Sequence, residues 1–170
     1  MPRFTALVVT IFVLAIIDTW VFTLPPLATL NLQVWMSFIA WGVHFMAGGK
    51  MQGVKASFLS MSFGALIGLG AALSIPHLPL GSLAAPVAVG IGAAVIVIAS
   101  KLPLLEAIPA GFYGFAAIFA MLGLTKGLAP ISAIGPTIMS IIIGGAFGYV
   151  SELVIDALAK KDPAPAPAAA

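Results

Sequence analysis

Few side chains in this sequence could do chemistry, and each stands in unusual surroundings. The five acids are Asp18, Glu106, Glu152, Asp156 and Asp162, and the two imidazoles are His44 and His77. Asp18 is the clearest lead. It interrupts an apolar run that resumes to Leu24, and an ionisable group at the centre of a membrane helix costs roughly 2.5–3.5 kcal/mol. It falls about 6 Å past the middle of that run at 1.5 Å per residue. Gln33, on the following segment, is the nearest polar group at that depth. Two readings stand: a proton or cation site with a polar lining, or a carboxylate hydrogen-bonded near the outer interface.

His44 lies toward the other end of its run, at a level compatible with Glu106, so a His44–Glu106 contact is expected; the alternative is a histidine at the headgroup boundary. Glu152 and Asp156 are four residues apart, on one helix face. That spacing can hold a metal, but no third ligand follows, and Lys160 and Lys161 nearby favour a solvated, salt-bridged helix end. No metal or other cofactor is expected. Lys55 is expected to snorkel to the inner interface, and His77 to lie in an outer loop. The chain has no Cys, which removes disulfides and thiolate chemistry together. It also lacks a nucleophile–base pair, phosphate loop and dinucleotide fingerprint. Enzymatic chemistry gathers several polar groups in one pocket, and an enzyme is not expected.

What positions these residues is apolar helix. Apolar residues make up 62% of the 170-residue chain and charged residues 7%, against roughly 25% charged in a soluble domain. Such a surface is stable only in lipid. Runs separated by Gly, Pro and charge predict six spans, at about 5–24, 30–47, 54–74, 83–100, 105–124 and 136–158. The expectation is an all-α, polytopic transmembrane bundle over residues 1–158, with a disordered Pro/Ala-rich cytoplasmic tail over 159–170. The first run resembles a signal peptide after Arg3, but it is long enough to span and is read as a retained helix.

Charge sets the orientation. With the N-terminus inside, Arg3, Lys50, Lys55, Lys101, Lys160 and Lys161 fall on the inner side and Lys126 alone on the outer, as the positive-inside rule requires. Both termini are then cytoplasmic, in a multi-pass protein of a bacterial inner membrane. The net charge of +2 gives no reason to expect nucleic acid as a partner. Gly64-x-x-x-Gly68 and Gly144-x-x-x-Gly148 have the spacing that lets helices approach closely in lipid, either within the bundle or between copies of a homo-oligomer. Gly135-Pro136 either starts the last helix, with Pro in its first turn, or interrupts a longer broken one.

Phe38, Trp41, Phe45, Gly49 and Gly53 are echoed 74 residues later by Phe112, Phe115, Phe119, Gly123 and Gly127. Three spans per half would set the two copies in opposite orientations, a 3+3 inverted repeat of the kind found in transporters, with the solute path between the halves. Trp41 and Phe115 would then be counterparts near the midplane, able to form an apolar constriction. Coincidence in so biased a composition, with ordinary aromatic packing, is the other reading.

Three stretches carry a family resemblance. Phe38-x-x-Trp41-x-x-x-Phe45-x-Ala47 leading to Gly49-Lys50-x-x-Gly53, then Lys101-x-x-x-Leu105-x-x-Ile108-Pro109-Ala110-x-Phe112-x-Gly114, then Gly144-x-x-Phe147-Gly148-Tyr149, resemble segments of the YcdZ-like bacterial inner-membrane proteins (domain of unknown function 1097). The similarity extends in patches over most of residues 5–150; the Pro-Ala tail departs from it. It implies a small helical inner-membrane fold and supplies no activity. From the residues themselves the leading expectation is a small-solute channel or facilitator with Asp18, Gln33, Trp41, His44, Glu106 and Phe115 as candidate pore or polar lining. The competing class is an accessory subunit that stabilises another membrane complex through an unidentified membrane-protein partner.

Overall fold

In lipid a backbone has no water to bond to, so an apolar segment satisfies its own N–H and C=O groups by becoming helix. The computed structural model describes residues 1–159, and its regular structure there is helical throughout. The order is α1 (Arg3–Val21), a single turn α2 (Pro25–Ala28), α3 (Val34–Met46), α4 (Lys50–Val54), a π-helical stretch Lys55–Ser60, α5 (Met61–Ser74), α6 (Ala84–Ala99), α7 (Ile108–Leu124) and α8 (Pro130–Leu158). The expected tail, with Lys160 and Lys161, lies outside the described residues.

Four helices are long and apolar enough to cross a membrane: Arg3–Val21, Lys50–His77, Gly81–Ala99 and Pro130–Leu158. The expected second and fifth spans, α3 and α7, are shorter, at 13 and 17 residues. Glycines at positive φ (Gly48, Gly49) stop α3, and Pro109 sits in the first turn of α7. This is a membrane-embedded helical bundle.

Two boundaries differ from expectation. The third run begins at Lys50 rather than 54, continuing through the π-helical stretch, where Ser57 Oγ donates to Gly53 O at 2.8 Å. The last run begins at Pro130 rather than 136 and passes through Pro136 as helix. A proline removes one bond of the helical ladder, a loss that a helix packed inside a bundle tolerates. One turn on, Ser140 Oγ donates to Pro136 O (2.8 Å) and accepts the backbone N–H of Gln33 (3.0 Å), which ties α8 to the start of α3. His77 ends the long third helix as an exposed 3-10 turn.

Packing follows the small residues. The chief contacts are α3 on α8 and α5 on α7, with α1 laid against α8, α6 against α5, and α5 meeting α8. A methyl group on Gly64 would lie 1.8 Å from Gly111 O, one on Gly114 1.8 Å from Met61 O, and one on Gly144 2.0 Å from Ser37 O. Gly68 is set against Phe115 and Gly148 against His44. All of these glycines therefore lie in contacts between helices of this one chain. Around them Met36, Met61, Ile118, Met121 and Ile141 are fully buried. The described ends of the chain meet at one end of the bundle: the Met1 ammonium donates to Leu158 O at 3.0 Å, and Arg3 pairs with Asp156 at 2.8 Å.

Candidate functional site

The buried residues of α1 are Ala6, Thr10 and Asp18, spaced by four and eight, so they form one stripe on an otherwise lipid-facing helix. Asp18 therefore faces protein. It is fully buried, and its Oδ1 accepts a hydrogen bond from Ser37 Oγ at 2.9 Å. Its Oδ2 has no partner among the described residues.

Gln33 is not the partner of Asp18. It precedes α3 in extended conformation beside Asn31, a residue at positive φ, and local bonds occupy its carboxamide. Its Nε2 donates to Asn31 O and its Oε1 accepts from the Trp35 indole, both at 3.1 Å.

His44 does not meet Glu106 either. Its Nε2 lies 3.2 Å from Glu152 Oε2 on α8, and the ring is fully buried. The reason is Gly148, which lets α8 come within 2.6 Å of His44 Cβ, measured to where a Cβ would stand. The turn after α3 completes the cluster. Gly48, Gly49 and Lys50 all have positive φ, and this swings the Lys50 N–H onto Glu152 Oε2 at 2.5 Å. Glu152 thus sits at the N-terminus of the long third helix, where the macrodipole favours an anion. Glu106 is exposed and accepts a longer bond, 3.3 Å, from Gln52. Glu152 and Asp156 are engaged separately, the first with His44 and Lys50, the second with Arg3.

Trp41 and Phe115 are both buried. Trp41 packs against Phe38 and Phe147 with ring centroids 5.8 and 5.6 Å apart, and Phe115 against Phe119 at 5.2 Å. The Trp41 indole N–H, His44 Nδ1 and the hydroxyls of Thr10 and Thr137 are buried without partners among the described residues. Lys55 is half-buried beside Gln52 and Glu106 in a small cavity of about 190 Å³.

Sequence reasoning missed Ser37. The signal was there: Ser37, Trp41 and His44 follow each other by four and three, one face of one helix. A groove of about 460 Å³ opens where α1, α3 and α8 meet, with Arg3, Phe45, Gly49 and Glu152 on its walls. The arrangement offers a carboxylate–hydroxyl pair and an imidazole–carboxylate pair, groups that take up and give up protons and accept hydrogen bonds from polar solutes.

A family model described as "Protein of unknown function (DUF1097)" matches residues 8–155. No curated protein and no solved structure matches the chain.

Proposed function

The chain belongs to the DUF1097 family, whose description names no activity, and we propose that it is a six-span, small-solute channel or facilitator built from two inverted three-helix halves. The observation that carries this reading is the recurrence of buried positions at fixed offsets. α3 buries Met36, Ser37, Ala40, Trp41, Val43 and His44; 74 residues on, α7 buries Ala110, Gly111, Gly114, Phe115, Ala117 and Ile118. In the long third helix Met61, Gly64, Ala65 and Gly68 are buried, and 80 residues on so are Ile141, Gly144, Gly145 and Gly148 in α8. Ala6, Thr10 and Asp18 of α1 have Ala84, Ala88 and Ile96 of α6 as buried counterparts, 78 residues on.

Contacts repeat with the positions. The long third helix packs on α7 as α8 packs on α3, and α6 lies on the third helix as α1 lies on α8. Gly64 approaches the backbone of Gly111 as Gly144 approaches that of Ser37. An odd number of spans per half opposes the two copies, and transporter solute sites sit where such copies meet. α3 and α7 would cross as short spans within the bundle. The gathering of Arg3, Lys50 and Lys55 at the end where the described termini meet supports both termini being cytoplasmic, in a bacterial inner membrane.

The test is stopped-flow light scattering of proteoliposomes holding the pure protein, with a panel of small neutral solutes. Solute entry faster than in protein-free vesicles is expected, with Trp41→Ala changing the rate. No acceleration for any solute would overturn the reading. The accessory-subunit alternative draws on the broad apolar face of α1, where Phe4, Phe12, Ile16 and Trp20 are exposed. A stoichiometric, unrelated membrane protein retained through purification in mild detergent would favour it.

A further inference from the structure

We infer that Asp18 is a proton-binding site, set into the side of the bundle formed by α1, α3 and α8. The inference rests on the two-half reading above. Under it, Asp18, Ser37 and His44 on this side have apolar counterparts on the other, whereas Thr137 and Ser140 of α8 match the hydroxyls Ser57 and Ser60. Asp18 and Ser37 correspond to Ile96 and Gly111. A Cβ on Gly111 would stand 2.7 Å from Ile96 Cγ2, so α6 meets α7 there by setting an isoleucine into a glycine notch. α1 meets α3 at the matching place with a carboxylate on a hydroxyl, 2.9 Å apart. His44 against Gly148 corresponds in the same way to Ile118 against Gly68.

The comparison separates packing from chemistry. The fold makes this joint on one side with an isoleucine and a glycine and no polar side chain between them, so the joint does not require a carboxylate. A charged group within a span is costly, and α1 bears that cost in its last turn, at the end of the helix dipole that repels an anion. What Asp18 adds is an acceptor. It is fully buried, with Oδ2 unpartnered among the described residues, and it has no cationic partner among the hydrogen bonds and ion pairs of those residues.

A single carboxylate with one hydroxyl beside it suits a proton rather than a metal ion. Hard cations such as calcium and magnesium take about six or more oxygen ligands, whereas a proton needs one. The step is balanced without a co-reactant: the Asp18 carboxylate takes a proton from hydronium, giving a carboxylic acid and water, and release reverses it. Ser37 can follow the change, because a hydroxyl both donates and accepts. It donates to the carboxylate and can turn to accept from the acid. The titratable groups on the elements packed against α1 are His44 on α3 and Tyr149, Glu152 and Asp156 on α8. All lie toward the opposite end of the bundle from Asp18, where Arg3 and Asp156 pair.

The experiment is attenuated-total-reflection infrared spectroscopy of the full chain in lipid, as the difference between acid and alkaline buffer. No solute is present, and the probe is the proton itself. The wild type is expected to show a protonated-carboxyl C=O band, shifted as in apolar surroundings, that disappears at alkaline pH. Asp18→Asn should lose that band. Because one variant could simply misfold, Asp18→Ile with Ser37→Gly imports the pair found on the other side. That double variant should stay monodisperse, melt at or above the wild-type temperature, and lack the band. A band that survives in either variant, or its absence from the wild type, overturns the inference. So does a double variant that loses its fold, since the joint would then need its polar pair. Failure of the facilitator reading looks different: the band titrates while no solute crosses.

Discussion

Replacing Gly144 by alanine adds one methyl group where α8 crosses α3, and the structure sets the consequence. The new Cβ would stand 2.0 Å from the carbonyl oxygen of Ser37, where ordinary contact begins near 3.4 Å. The obstacle is backbone, which cannot turn aside as a flexible side chain can. The two helices must separate by about 1.4 Å, and a radial gap of 0.5–1 Å already forfeits roughly a quarter to a half of each van der Waals contact along the seam. A loss of about 1–3 kcal/mol is expected. Gly64→Ala and Gly114→Ala should cost more, since their obstacles stand at 1.8 Å. The controls are Gly42→Ala and Gly90→Ala, exposed helical glycines with nothing within 4 Å. There alanine should be neutral or gain up to about 1 kcal/mol through helix propensity. Each variant is purified in mild detergent and heated, and the surviving monodisperse peak gives an apparent Tm. The predicted order has G64A and G114A lowest, G144A next, and the two controls at or above wild type. G144A melting with the wild type, or G42A falling as far as G144A, would refute the reasoning.

Glu152→Ala strands both the Lys50 N–H and His44 Nε2 and should cost about 1–3 kcal/mol. Glu106→Ala loses one exposed bond to Gln52 and should stay within about 0.5 kcal/mol. Equal losses in parallel melts would contradict the pairing of His44 with Glu152. Pro136→Ala should not lower the apparent Tm, because α8 is helical through that position; a marked fall would mean that the bundle needs a bend there. Arg3→Ala removes an ion pair whose side chains are 60% and 51% exposed. Its effect should be under about 1 kcal/mol and vanish in high salt, which melts at two ionic strengths would check.

Much of this bundle was legible because lipid restricts the backbone so strongly. Every predicted apolar run contains a helix, and Gly48-Gly49 and Pro25-Pro26 mark ends near where they were placed. The ends that moved did so at Pro136, through which α8 continues as helix, and at Lys50, whose N–H is met by Glu152 from a neighbouring helix. The polar partners were harder to read. Depth along a span predicts who shares a level but not who shares a face, so Asp18 was set beside Gln33 and His44 beside Glu106. Lateral position is decided by which helices carry glycine at the crossing, and Gly144 and Gly148 draw α8 onto α3. The 74-residue echo was visible in aromatics because α3 and α7 carry them at matching positions, of which Trp41 and Phe115 are buried. The matches at 78 and 80 residues were not, since they are written mostly in Ala, Gly and Ser, which any closely packed membrane helix uses.

Small residues and scarce polar ones are two sides of one design. Without a hydrophobic effect to press helices together, adhesion in lipid comes from close van der Waals approach and from hydrogen bonds across the contact. One side of this bundle uses the first device almost alone, with Gly64, Gly68 and Gly111 notched against backbone and against Ile96 and Ile118. The other keeps the notches at Gly144 and Gly148 and adds a hydrogen-bonded pair beside each, Asp18 with Ser37 and His44 with Glu152. Packing needs are already met by the glycines on both sides. The polar pairs are therefore an addition that the other side does without, and whatever this protein does inside the membrane is best sought along α1, α3 and α8.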